Sequence, residues 1–289
     1  MEDFNPKNLK KLYIPPANSH KGQNGKLLII AGSKLFHSSS LWALKVASRI
    51  VDMVFYSSVP ENNQIVMDAK KEFRDGIVIS RSKIDNYIKE ADCILIGPGL
   101  PREDGQEVGD DDTKTLTESL LKKYPEKKWV IDGGSLQTID SEVLLTLKMP
   151  ILTPHYKEFE KIFNFKFQIS NFKSNSDDQI LKIQKKVGEM AEKYNCTIVL
   201  KGPIDIVCSP KECLKITGGN AGMTKGGTGD VLAGLIASLY CKNDAFLSAL
   251  AGSYINKKAG ESLFKKVGYY FNSSDLVGEI PRAMKELSA

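Results

Sequence analysis

Residues 218–240 read GGNAGMTKGGTGDVLAGLIASLY. Gly218, Gly219, Gly222, Gly226, Gly227 and Gly229 crowd the first half, too many glycines for a helix or strand interior. From Val231 to Tyr240 the chain becomes apolar and alanine-rich over a helical length. Asp230 stands at the junction. A glycine loop running into a helix N-terminus presents converging backbone N–H groups and a positive dipole end, so the stretch predicts an anion hole. Asp230 has two readings there. It is an N-cap carboxylate, worth roughly 0.5–2 kcal/mol, or a general base beside a phosphate in transfer. The spacing is not that of a P-loop, and no GxGxxG follows the first strand.

Outward from this stretch, strand and helix patterns alternate. Residues 26–31 form a continuous apolar run ended by Gly32-Ser33, and Ser38-Ser39-Ser40 precede a helix carrying Leu41, Leu44 and Ala47 or Ser48 on one face. Further strands are predicted at 53–56, 76–79, 91–96, 128–132, 150–153 and 196–200, with short β segments at 204–208 and 213–216. Helices are predicted at 84–89, 113–124, 141–147, 156–163, 177–194, 244–266 and 275–287. Residues 164–176 read as an exposed excursion and 1–19 as an irregular N-terminal arm. No linker divides the chain. The expectation is one α/β domain over 1–289: a mostly parallel sheet with helices on both faces and a small antiparallel patch near 204–216.

In such a sheet, ligands collect at the carboxyl ends of the strands. The loops expected there are Ala31-Gly-Ser33, Gly97-Pro-Gly-Leu100, Asp132-Gly-Gly134, Thr153-Pro-His155, Lys201-Gly202 and the glycine loop. Asp132 either coordinates a hydrated cation or closes a turn. His155, flanked by a strand end and a helix start, is as well placed for a ligand as for structure.

Composition narrows the classes. The formal charge of +5 is spread among interleaved acidic residues, which leaves no nucleic-acid stripe. Five cysteines without a CxxC pair read as buried free thiols in a reducing compartment. Three histidines without HxxxH or HExxH spacing argue against zinc. No apolar run reaches the roughly 18 residues of a membrane span, and the N-terminus lacks an apolar signal core. The expected location is the cytoplasm.

Taken in this order, the loops resemble the NAD(P)H-hydrate dehydratase family of the ribokinase-like superfamily from about His20 to Met284. TPHYKEF (153–159) and GNAGMTKGGTGDVLAG (219–234) are the most specific pieces. The resemblance implies a three-layer αβα sandwich. It implies use of ATP or ADP, with Mg²⁺, to drive loss of water from the hydrated nicotinamide of NADHX or NADPHX. Phosphate would pass to the ring hydroxyl and then leave, with Asp230 accepting the hydroxyl proton and the helix dipole keeping Asp230 ionised. By the family pattern Lys201, Gly202, Pro203, Ile204, Asp205 and Gly229 lie along the nucleotide, with Asn220, Gly226, Gly227 and Thr228 beside it. Ser39, Gly99, His155 and Asp230 hold the hydrate; metal ligands are not assigned. A homo-oligomer without the epimerase domain is implied. Three departures stand out: Ser38–Ser40 replace a glycine-alanine element, Pro101 replaces a glycine, and Tyr156-Lys157 replace Pro-Gly. The first two fall on the substrate side. A kinase of a small vitamin-precursor alcohol, and a non-catalytic nucleotide binder, are the competing readings.

Overall fold

The computed structural model describes residues 2–102, 105–167 and 177–288. Nine strands form one sheet: β1 Lys26–Ile30, β2 Met53–Ser57, β3 Ile77–Val78, β4 Cys93–Ile96, β5 Lys128–Ile131, β6 Ile151–Leu152, β7 Thr197–Leu200, β8 Asp205–Cys208 and β9 Cys213–Ile216. Their spatial order is β3-β2-β1-β4-β5-β6-β7-β8-β9. All pairings up to β6–β7 are parallel, and β7–β8 and β8–β9 are antiparallel. The order reverses between β1 and β4, so the crevice above those two strands is the topological switch point.

Burial on both faces explains the uninterrupted apolar runs. Leu27, Ile29, Leu95 and Val130 point into one core, packed by α1 His37–Ala47, α8 Thr228–Tyr240, α9 Ala245–Val267 and α10 Ser273–Ser288. Leu28, Ile30, Ile94 and Trp129 point into the other. That core is packed by α3 Ile84–Glu90, α4 Thr113–Lys123, α5 Gly133–Thr138, α6 Tyr156–Ile162 and α7 Asp177–Lys193. Alternate residues of each strand thus build the two interfaces of a three-layer sandwich.

Several local expectations are corrected. The N-terminal segment is not wholly irregular: Pro6–Lys11 form a 3-10 helix capped by Asn5, Phe4 and Leu9 are buried, and Asp3 bridges Lys215 beside β9. An additional helix, α2 Pro60–Ala69, follows β2; Pro60 at its first turn, after an extended Val59, is the start signal passed over. The third strand is reduced to Ile77–Val78. Cys208 and Cys213, register partners across the β8–β9 hairpin, are joined in a disulfide, while Cys93, Cys196 and Cys241 are free and buried. The expectation for residues 164–176 lies outside the described residues from 168 onward. No helix among the described residues is long and apolar enough to cross a membrane.

Candidate active site

The glycine loop reaches α8 through Gly227, which is the N-cap in the left-handed region (φ 94°). A Cβ on Gly227 would come within 2.2 Å of Trp42 Cζ3 and 2.7 Å of Ser273 Oγ, so only glycine fits between α1 and α10. The Ser273 hydroxyl donates to the Gly226 carbonyl at 2.7 Å, and the Thr228 hydroxyl donates to the carbonyls of Met223 (2.7 Å) and Lys225 (3.0 Å). No side chain caps α8. The N–H groups of Gly229 and Asp230 have no partner among the described residues and are free to meet an anion. Asp230 lies in the first helical turn rather than at the N-cap, and the capping reading of this residue falls away.

Asp230 faces a buried charge cluster. Lys201, at the end of β7, donates from Nζ to Asp132 Oδ1 at 2.8 Å and lies 3.8 Å from Glu158 Oε2. A Cβ on Gly229 would be 3.5 Å from the same Nζ, which places the ammonium against the start of α8. Asp132, at the end of β5, also accepts from the Thr153 hydroxyl at 2.8 Å. Glu158 accepts from Gln137 Nε2 at 3.1 Å. Burial pulls the Lys201 ammonium down, but the Asp132 and Glu158 carboxylates outweigh it and hold its pKa well above the usual lysine value.

The electrostatics of Asp230 run opposite to the expectation that the dipole fixes its charge. Burial first, and then the Asp132 carboxylate, push its pKa up to about 7; Lys201 and a hydrogen bond from Ser39 oppose them. The loss of solvent around the carboxyl exceeds what the helix end returns. A carboxylate poised near neutrality is matched to general base work.

His155 is the N-cap of α6 in a reciprocal capping box. Its Nδ1 accepts the Glu158 N–H at 3.2 Å, and Glu158 Oε2 accepts the His155 N–H at 2.8 Å. With Nδ1 an acceptor, the neutral ring carries its proton on Nε2, which lies 3.5 Å from Glu158 Oε1. Burial, assisted by Lys201, lowers the His155 pKa against the pull of Glu158 and Asp132, so the neutral ring is favoured.

Ser39 and Gly99 close the opposite side. Gly99 (φ 67°) presses on the start of α1: a Cβ there would meet the Phe36 carbonyl at 2.6 Å and Ser39 Cβ at 3.0 Å. Thus Ser39 at the start of α1, Asp230 at the start of α8, and Gly99, Lys201 and His155 beyond the ends of β4, β7 and β6 come together. The remaining predicted residues turn their side chains inward. Asp205 accepts from the Gly202 N–H (2.9 Å) and Ser253 Oγ (2.6 Å) and pairs with the buried Lys257 at 3.3 Å. Lys257 also donates to the carbonyls of Gly202 and Pro203, and Ile204 packs on the core. Asn220 donates to the Gly260 carbonyl and accepts from the Gly222 N–H. Asp205, Asn220 and Thr228 therefore shape the loops, leaving backbone on the open surface.

Four participants escaped the sequence reading. Asp132 remained undecided between metal ligand and turn. Glu158 sits within TPHYKEF, and its H-x-x-E spacing is the capping-box signal that marks it. Lys257 and Ser273 carry no local signal, because their partners lie 55 and 47 residues away.

A sequence model described as NAD(P)H-hydrate dehydratase matches residues 27–282. The bifunctional NAD(P)H-hydrate repair enzyme of Methanocaldococcus jannaschii is 37% identical over 286 residues, covering 96% of this chain and 51% of that protein. The ADP-dependent (S)-NAD(P)H-hydrate dehydratase of Nitrosopumilus maritimus is 31% identical over 291 residues, covering 96% of this chain and 95% of that protein. The chain thus spans about half the length of the first relative and nearly all of the second. The crystal structure of ADP/ATP-dependent NAD(P)H-hydrate dehydratase from Bacillus subtilis, co-crystallized with ATP/Mg²⁺, matches with a TM-score of 0.75 at 21% identity, covering 99% of this chain and 98% of that one. At that identity the likeness establishes the fold, the ribokinase-like αβα sandwich.

Proposed function

Because the chain belongs to the NAD(P)H-hydrate dehydratase family, we propose that it restores NADH and NADPH from their (6S)-hydrates at the expense of ADP or ATP. The observation that carries this reading is Asp230, with a pKa raised to about 7, beside the unpartnered N–H groups that begin α8. Water is a poor leaving group; a phosphate ester leaves readily. The hydrate hydroxyl attacks the terminal phosphorus, its proton passes to Asp230, and the bond to AMP or ADP breaks. The Gly229 and Asp230 N–H groups receive the charge of the phosphoryl group in transfer. The carbon–oxygen bond to phosphate then breaks as the ring nitrogen supplies its lone pair, and loss of a ring C–H proton restores the nicotinamide.

Ser39, Gly99 and His155 hold the hydrate in this reading, with His155 donating from Nε2. Lys201 to Asp205 and Asn220 to Gly229 border the nucleotide. Among the described residues no three His, Cys, Asp or Glu side chains are spaced to hold a metal alone. The carboxylates of Asp132, Glu158 and Asp230 nevertheless outnumber the single Lys201 ammonium among them, and this excess negative charge fits a Mg²⁺ ion carried by the nucleotide. Asp132 and Glu158 would hold it, together with phosphate and water. Bound there, Mg²⁺ would neutralise phosphate charge. We read the protein as one domain and, on the family resemblance, as a cytoplasmic homo-oligomer.

The fate of phosphate tests this reading against a kinase of the same fold. With hydrate and nucleotide supplied, free phosphate should appear in equal amount to the NADH formed. A stable phosphorylated alcohol, from this or another substrate, would transfer the protein to the kinase reading.

A further inference from the structure

We propose that Lys257 is a positioning residue for the adenine nucleotide: from behind the loop of residues 201–205 it turns a backbone N–H out towards the nucleotide and fixes that loop against the glycine loop. This rests on the function proposed above and adds what sets nucleotide affinity. Lys257 is a buried ammonium, 5% exposed, to which the transfer chemistry gives no task.

Its head and its stem serve different loops. Nζ donates to the Gly202 carbonyl at 3.1 Å and the Pro203 carbonyl at 3.2 Å, and pairs with Asp205 Oδ1 at 3.3 Å. The same carboxylate oxygen accepts the Gly202 N–H. The stem lies against the start of the glycine loop, where a Cβ on Gly219 would be 3.4 Å from Lys257 Cγ. Ser253, Lys257 and Glu261 follow one another at the i, i+4 spacing of a single face of α9. Ser253 donates to Asp205, and Glu261 Oε1 accepts the Gly219 N–H at 3.1 Å. One helix face therefore holds both loops that border the nucleotide, and Lys257 touches both.

Peptide geometry carries the consequence for a ligand. A trans peptide points its C=O and the following N–H in opposite directions. With the Pro203 carbonyl drawn inward to Lys257, the Ile204 N–H points outward, and it has no partner among the described residues. The Gly202 carbonyl is anchored in the same way, but the proline after it supplies no N–H. The Gly202 N–H is already taken by Asp205. The Ile204 N–H is thus the donor that residues 202–204 offer to the nucleotide. A buried ion pair contributes little net stability, because desolvation offsets its attraction; what the Lys257 pair supplies is direction. Aimed at a ring nitrogen or a phosphate oxygen, this N–H makes a hydrogen bond whose loss costs about tenfold in affinity.

The experiment compares the parent protein with Lys257→Met and with Lys257→Met/Asp205→Asn, which also removes the carboxylate that the first change orphans. Equilibrium dialysis against ADP should show about tenfold weaker binding in both variants. KM for ADP should rise by the same factor, with little change in KM for NADHX or in kcat at saturating nucleotide. A lysine that served only the fold would lower the folded fraction and leave the affinity of the folded protein as it was. ADP bound equally by the parent and the folded variants therefore overturns the proposal. So does a double variant that regains the parent's affinity, since the orphaned Asp205 charge, and not the lost carbonyl anchors, would then be the cause. A fall in kcat with both KM values unchanged overturns it as well. If Lys257→Met does not fold, the double variant decides; a double variant that also fails to fold gives the lysine to the fold and overturns its role at the nucleotide. If the parent turns over no hydrate, the function proposed above fails; dialysis still decides the role of Lys257, and a parent that retains no ADP overturns it.

Discussion

Asp230→Asn is expected to lose about 10²–10⁴-fold in kcat with hydrate and nucleotide, the range of a general base. The substitution keeps shape and removes the group that takes the hydroxyl proton. The parent enzyme should share a pH signature with this loss. Asp230 works ionised, and its pKa stands at about 7. Activity should therefore fall as pH drops through about 7, approaching tenfold per unit on the acid side. Stability should move the other way. Folding raises this pKa from 3.8 to about 7, so the folded state binds the proton more tightly than the unfolded chain. The resulting penalty is absent below the unfolded value, grows as pH rises between the two, and is complete above about 7. A shift of that size corresponds to roughly 4 kcal/mol as an upper bound; solvent at the half-buried carboxyl reduces it. Asp230→Asn should accordingly be more stable than the parent at neutral and alkaline pH by roughly 1–3 kcal/mol, and no more stable near pH ~4. Denaturant titrations at the two pH values check this. A variant that loses both activity and stability would mark Asp230 as structural.

Lys201→Met should carry the largest stability cost. Its ammonium is the counter-ion of the buried Asp132 and also faces Glu158. Removing one partner of a buried pair leaves an uncompensated charge, at roughly 3–5 kcal/mol. The double variant Asp132→Asn/Lys201→Met should recover much of that loss, because it removes the orphaned charge. Chemical denaturation of the parent, both single variants and the double variant measures the coupling. Activity gives a second readout. Lys201 lowers the Asp230 pKa against burial, so without it the acid limb of the pH profile should move above about 7. A profile unmoved in Lys201→Met would show that the lysine serves only the fold.

The layered sheet was legible because strands buried on both faces write themselves as unbroken apolar runs, such as residues 93–96 and 129–131. Helix α2 was less legible, since its pattern is polar with only Asn62 and Val66 buried. The glycine loop was legible as a loop running into a helix because so many glycines exclude a helix or strand interior, and α8 does begin at Thr228 just after them. The charge on Asp230 was misjudged from sequence: proximity to a helix end is local, while desolvation and the Asp132 carboxylate are set by residues about a hundred positions away. The Asp205–Lys257 and Thr153–Asp132–Lys201 connections are equally tertiary. Motif reading placed Asp205, Asn220 and Thr228 along the ligand; the folded chain shows their side chains holding loops in shape. The cysteines fared similarly, since the pairing of Cys208 with Cys213 follows from hairpin register and not from spacing alone.

The central claim is hydrate repair driven by an adenine nucleotide. Its most direct measurement follows the absorbance of reduced nicotinamide with purified protein, Mg²⁺ and chemically prepared NADHX, with ADP and ATP supplied separately. The account predicts a rise that requires nucleotide and disappears in Asp230→Asn. No rise with either nucleotide, from protein shown to be folded, would contradict it.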